Sequence, residues 1–345
     1  QATPPTSDAT QPVSAEPEWQ RPEALLVARQ PNTPMLDIGV VLFDPGVEPE
    51  DDSAQATVRR LEASLLAHEL KTALERSNQW GVVRLVPEAS PLTPISLHST
   101  VLLSNGRDLV VRVTARDAMS QEWFDHTIAF RESLSGDETK EISHIFHSLS
   151  NRLLQSWEQY SARNQLIVAS EILYAQTLVP DAFAGMLNVS ESGWQLDRLP
   201  ANNDPMLARI SRVRNQEYLF CDAIDEQYGD LAVRVAPTYA LWRRATAEQA
   251  LWLEQYEERV SERGDNAADG RFARMQAHYA AYRSYRTQEQ ALWELAEAFE
   301  GESQRTMLKT ASRVVSLEGT LATQYDEWRQ ILRNIFILEQ GARAW

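Results

Sequence analysis

The stretch that decides the fold runs from Met35 to Val86. It opens with MLDIGVVLF at residues 35–43, closes on Asp44-Pro45-Gly46, and resumes with GVVRLV at residues 81–86 before Pro87. Both runs are short, apolar and rich in β-branched residues, and both end in turn residues, so each predicts a buried strand. Between them Val58, Leu61, Leu65, Leu66, Leu70 and Leu74 recur at helical spacing over residues 54–78. That stripe predicts an amphipathic helix. A helix linking two strands implies a crossover connection.

Three further strands follow, over residues 95–103, 108–115 and 122–131. Ser104-Asn105-Gly106-Arg107 joins the first two as a tight hairpin, because Asn-Gly readily takes positive φ. Residues 117–121 make the next turn. Residues 137–162 carry Ile142, Ile145, Phe146, Leu149, Leu153, Leu154 and Trp157 on a second helix. The expected order is β-α-β-β-β-β-α, a mixed sheet with an antiparallel meander and helices on one face, filling residues 21–165.

Several of these segments carry a resemblance. Phe43-Asp-Pro-Gly46 ends the first strand, Asn78-Gln-Trp-Gly-Val-Val83 follows the helix, and Leu102-Leu-Ser-Asn-Gly-Arg-Asp-Leu-Val110 precedes the turn leading to Trp123. This run is similar to the small α/β domain of the TolB N-terminal region and the CsgG group of envelope lipoproteins. The resemblance implies an envelope binding or assembly module, and it carries over no catalytic residue.

Residues 1–20 read QATPPTSDATQPVSAEPEWQ. A stretch this rich in proline and hydroxyl residues buries too little to offset its ordering entropy, so a flexible tether is expected. It resembles the segment that follows the lipidated cysteine of bacterial lipoproteins. The resemblance implies a periplasmic location with an outer-membrane lipid anchor preceding this chain.

Residues 166–203 are expected to form connecting helices, including one over 180–187, and a small hairpin. Asp204 and Pro205 then supply an N-cap and a first helical position. From 204 to 345 heptad-like stripes predict a long helical bundle or antiparallel coiled coil. Pro237 is expected to break or kink the first helix, ahead of a second near Leu241–Val260 and a third over 272–299. A fourth should carry Met307, Ala311, Val314, Leu321, Tyr325, Trp328, Leu332 and Ile335. The fold class expected for the whole chain is α+β.

Composition narrows the role. Of 345 residues, 43% are hydrophobic and 24% charged, which fits a globular chain. The formal net charge of −16 repels nucleic acid, and no dense basic cluster offsets it. Cys221 is the one cysteine, so no intramolecular disulfide and no multi-cysteine zinc site can form.

Four features invite a chemical reading. Glu141, His144 and His147 share one helix face at metal-ligand spacing, against which stands the reading of half-buried surface histidines. Glu191-Ser192-Gly193-Trp194 resembles the Glu-Ser motif of lytic transglycosylases, in which the glutamate is the general acid. Cys221 sits between Phe220 and Asp222 and reads as a buried structural thiol. Trp19 and Trp345 are candidate partner-binding anchors. No catalytic, cofactor-binding or metal residue is assigned. The expected function is that of a non-enzymatic scaffold or accessory factor acting on other envelope proteins. A glycan hydrolase using Glu191 and a ligand- or metal-sensing module are the alternatives.

Overall fold

The apolar stripes of the sequence become faces of a sheet and of the helices that cover it. The computed structural model describes residues 18–19, 23–29, 34–51, 54–88, 91–131, 138–160, 163–190, 193–201, 204–262, 305–310, 313–318 and 321–339. In chain order the elements are β1 (Glu18–Trp19), β2 (Ile38–Val41), α1 (Ala54–Ser77), β3 (Val83–Val86), β4 (Ile95–Ser104), β5 (Asp108–Asp117) and β6 (Glu122–Arg131). Then come α2 (Glu138–Gln159), α3 (Arg163–Leu178), β7 (Leu187–Ser190), β8 (Gly193–Leu196), α4 (Pro205–Glu262), β9 (Arg305–Thr310), β10 (Arg313–Glu318) and α5 (Leu321–Glu339).

The main sheet is mixed, in the order β1-β6-β5-β4-β2-β3. β2 is parallel to both β3 and β4, as the α1 crossover requires. β4, β5 and β6 form the antiparallel meander. At the β4–β5 turn Gly106 has φ +84°, and the Asn105 Oδ1 accepts from the Arg107 and Asp108 amides. Within the stretch expected as a tether, Glu18–Trp19 form a two-residue strand parallel to β6 at Ile128 and Ala129.

Two large apolar clusters and a small third one hold the fold. The first joins Ile38, Val40, Leu97 and Val111 of the sheet to Leu66, Leu70 and Leu74 of α1 and to Phe146 and Leu149 of α2. The second gathers Tyr174 of α3, Phe220 and Ile224 of α4, and Trp328, Leu332 and Phe336 of α5. It also takes in Val86 and Leu92. The α1 stripe divides its work, since Leu61 and Leu65 meet Leu231 and Val235 of α4 instead. β3 alternates accordingly: Val83 and Leu85 join the first cluster, while Val86 joins the second and Arg84 bonds Asp222 of α4. Helices therefore cover both sides of β3, which corrects the expectation of helices on one face only.

The helical half also departs from its periodicity. α4 runs unbroken for 58 residues through Pro237. The carbonyl that proline orphans belongs to Val233, which is 77% exposed, so water can take the bond. Val235 and Ala247, on either side of the proline, are buried. Residues 305–310 and 313–318 pair as the antiparallel strands β9 and β10, not as the start of a fourth helix. Val314-Val315 favours strand. A 4-3 apolar spacing over so short a run fits both periods. Residues 180–185 are turn, with Phe183 and Gly185 at positive φ, where a short helix was expected. The helix expected over 272–299 lies outside the described residues. The N-cap stands as read, with the Asp204 Oδ1 accepting from the Met206 amide at 2.8 Å.

Candidate functional site

The meander turns one face to α1 and α2 and the other away from them. On the outer face the polar members of the period-2 pattern line up across strands: Ser96, His98 and Thr100 on β4, Arg112, Thr114 and Arg116 on β5, Asp125 on β6. Between this face and Val41, Leu42 and Asp44 lies an open cavity of about 400 Å³. Arg112 clamps Asp125 through Nε and Nη2, and the Thr114 hydroxyl donates to the same carboxylate at 3.3 Å. That hydrogen-bonded pairing holds Asp125 below the usual carboxylate range. Arg116 pairs with Glu122 at 3.3 Å.

Ser96 Oγ and His98 Nε2 share a hydrogen bond of 3.0 Å, the geometry of a nucleophile and its base. The electrostatics run against that chemistry. Burial, and then the Arg116 cation, lower the His98 pKa below its ordinary 6.5. A Ser–His mechanism needs a carboxylate to stabilise the imidazolium, whereas Arg116 opposes it. With each arginine matched to an acid, the face is suited to hydrogen-bonded recognition.

The other concentration of charge lies along α4. Glu62 of α1 accepts from the Ser104 hydroxyl at 2.6 Å, the Tyr239 hydroxyl at 2.6 Å and Arg243 Nη1 at 3.2 Å. Arg243 Nη2 also donates to the Gly106 carbonyl at 3.3 Å. Lys71 of α1 meets Asp225 at 2.8 Å, and Arg84 of β3 meets Asp222 at 2.7 Å. Glu217 accepts from Tyr174 of α3 at 2.7 Å and from Tyr325 of α5. Burial pushes both tyrosines well up, so they remain donors. These bonds fasten α4 to α1, β3, α3, α5 and the β4–β5 turn.

The histidines singled out on α2 have a different task. His144 and His147 both direct Nδ1 at the Glu23 carbonyl, at 3.1 and 3.3 Å. They help hold residues 23–28, which cross α2 and the C-terminal end of α1. Asn151, 2% exposed, accepts from the Leu26 amide and donates to the Ala24 carbonyl and the Glu23 carboxylate, each at 2.9 Å. Gln79 donates to the Leu26 carbonyl at 3.4 Å, and Asn78 to the Ala28 carbonyl at 3.1 Å. The Ala28 amide donates to the Ser77 carbonyl at 2.8 Å. Burial lowers the His147 pKa. Among the described residues no group of three or more His, Cys, Asp and Glu side chains could hold a metal ion.

Glu141 lies on α2, but its side chain is outside the described residues, as are Glu191 and Trp345. Of Trp19 only the backbone, in β1, is described. Cys221 is buried in the second cluster and burial drives its thiol pKa up, which is the inert condition. Sequence reasoning missed Asn151, the Glu62–Arg243 pair and the outer sheet face. Of these, only the face had a local signal, the alternation of Arg112, Thr114 and Arg116 with Val111, Val113 and Ala115. No helix among the described residues is long and apolar enough to cross a membrane. Comparison with known protein families, curated proteins and solved structures finds no match to this chain.

Proposed function

We propose that this protein is a non-enzymatic scaffold or accessory factor of a bacterial envelope complex, a periplasm-facing outer-membrane lipoprotein that works by protein–protein contact. The observation that carries the reading is α4. At 1.5 Å per residue its 58 residues span about 87 Å. Buried charges fasten its first two thirds, from Glu217 to Arg243, to the rest of the fold. The helix then continues past the buried Ala247 to Glu262. A stiff rod anchored in this way transmits position over a distance, which is what a scaffold requires. The envelope setting rests on the proline-rich first residues and on the resemblance to the TolB N-terminal and CsgG group.

The test is photo-crosslinking in intact cells, with a reactive residue placed at exposed Val233 on α4. One discrete envelope protein, also recovered by pull-down of the untagged site's parent chain from native membranes, is the expected result. Labelled palmitate entering the precursor checks the anchor. Crosslinks spread over many unrelated proteins, or an unlabelled precursor, refute the corresponding half of the proposal.

A further inference from the structure

Residues 23–28 are held in an unusual way. Almost all their anchors act on main-chain atoms: the amides of Leu26 and Ala28 donate, and the carbonyls of Glu23, Ala24, Leu26 and Ala28 accept. The Asn151 amide serves residues 24 and 26 together, as a neighbouring strand would. The one side chain read by a hydrogen bond is the Glu23 carboxylate. Leu26 and Val27, by contrast, are 49% and 60% exposed. Apolar burial therefore does little to retain this segment, and hydrogen bonds that water can replace do most of it.

A fixed set of side chains that reads extended main chain is a peptide-recognition device, in which backbone bonds give affinity and a few side chains give selectivity. We propose that the seat formed by His144, His147 and Asn151 of α2 with Asn78 and Gln79 after α1 is a peptide-binding site. In this chain it is filled in cis by residues 23–28. Its exchangeable occupant is an extended segment of a partner protein, with an acidic residue followed by small and aliphatic ones. The chemistry of the cis occupant defines that class. A partner segment that takes the seat displaces residues 23–28 and releases the main chain leading to the already exposed Arg29. The inference rests on the protein-contact reading above and names the kind of partner.

The probe is a labelled synthetic peptide, RPEALLVARQ, identical to residues 21–30. Leu26→Pro in the full chain removes the amide that Asn151 accepts from and vacates the seat. Anisotropy should then show saturable binding of the peptide, at least tenfold tighter than to the wild-type chain, whose own segment competes. Adding Asn151→Leu should abolish it. Three results overturn the proposal: unchanged hydrogen-exchange protection of residues 23–28 in Leu26→Pro, no peptide binding once that segment is released, or binding that survives Asn151→Leu. If Leu26→Pro does not fold, excess unlabelled peptide added to the wild-type chain should speed trypsin cleavage after Arg29, and no acceleration refutes the seat. The probe is a piece of this chain, so a negative result leaves the envelope-scaffold reading standing. An empty crosslinking experiment with a peptide that binds does the reverse.

Discussion

Glu62 and Arg243, 181 positions apart, form an ion pair at 3.2 Å with side chains 0% and 2% exposed. It ties the helix after the first strand of the core sheet to the far part of α4. Tyr239 and Ser104 donate to the same carboxylate oxygen, and Arg59 lies 3.9 Å from the other.

Breaking this pair from one side should be costly. Arg243→Met strips buried Glu62 of its closest cation and leaves the Arg59 guanidinium at 3.9 Å beside the Tyr239 and Ser104 hydroxyls, and removal of one partner of such a pair costs about 3–5 kcal/mol. The double variant Glu62→Leu/Arg243→Met removes both charges and should recover most of that loss. Urea denaturation of the three chains checks this. A double variant no better than Arg243→Met would show that packing, not charge, governs the site.

The β4–β5 turn should be intolerant of a side chain. A Cβ at Gly106 would lie 2.1 Å from Thr246 Oγ1 and 2.7 Å from the Ala247 amide nitrogen, and the residue holds φ +84°. Gly106→Ala should lower stability by about 1–3 kcal/mol through strain and displacement of α4. Thermal melts measure the loss, and hydrogen exchange should place it near Arg243. A neutral substitution would mean that α4 does not rest on this turn.

Trp328 lies at the centre of the second cluster, stacked on Phe220. Trp328→Ala should cost about 3–5 kcal/mol. Exchange protection should fall in α3, α4 and α5 and also around Val86 and Leu92, which belong to the same cluster. Retained protection at those two residues would make the helical half an independent unit.

Stability should decline on mild acidification. His98 and His147 both have lowered pKa values, chiefly from burial, so each binds a proton less readily in the folded state than in the unfolded. Their contribution is full above the ordinary pKa of 6.5 and is lost as pH falls through the folded values. Asp117, whose pKa burial raises, acts in the opposite sense at lower pH. The melting temperature should fall between about pH 7 and 5, and His98→Gln/His147→Gln should flatten that slope. A melting temperature that rises over the interval would contradict the assignment.

The α/β half was legible because its signals are local. Asn105-Gly106 fixes a turn, β-branched runs fix strands, and the leucine stripe of α1 fixes a helix within a few residues of its observed ends. The same stripe could not reveal that Leu61 and Leu65 face α4 while Leu66 and Leu70 face the sheet, since both directions fall within one broad apolar arc. Helical spacing misled where runs were short, as at Met307 and Val314, and the proline signal could not tell a break from a helix that continues through Pro237. Most of the pairs that fasten α4, among them Arg84–Asp222, Lys71–Asp225 and Glu62–Arg243, join residues more than a hundred positions apart. Their members look like ordinary surface charges until the chain is folded.

The placement of α4 sets an order on how the chain can mature. A ribosome or a translocon delivers residues in sequence, so β2 through α2 emerge long before the helix that completes them. Until residue 243 arrives, Glu62 has only the more distant Arg59 guanidinium of its own helix, and until residue 225 arrives Lys71 has only Glu75 beside it. Contacts of such long sequence separation close late and slowly. The first half therefore passes through a period with a polar, unfinished flank, and a chaperone that recognises that flank would distinguish nascent copies from mature ones.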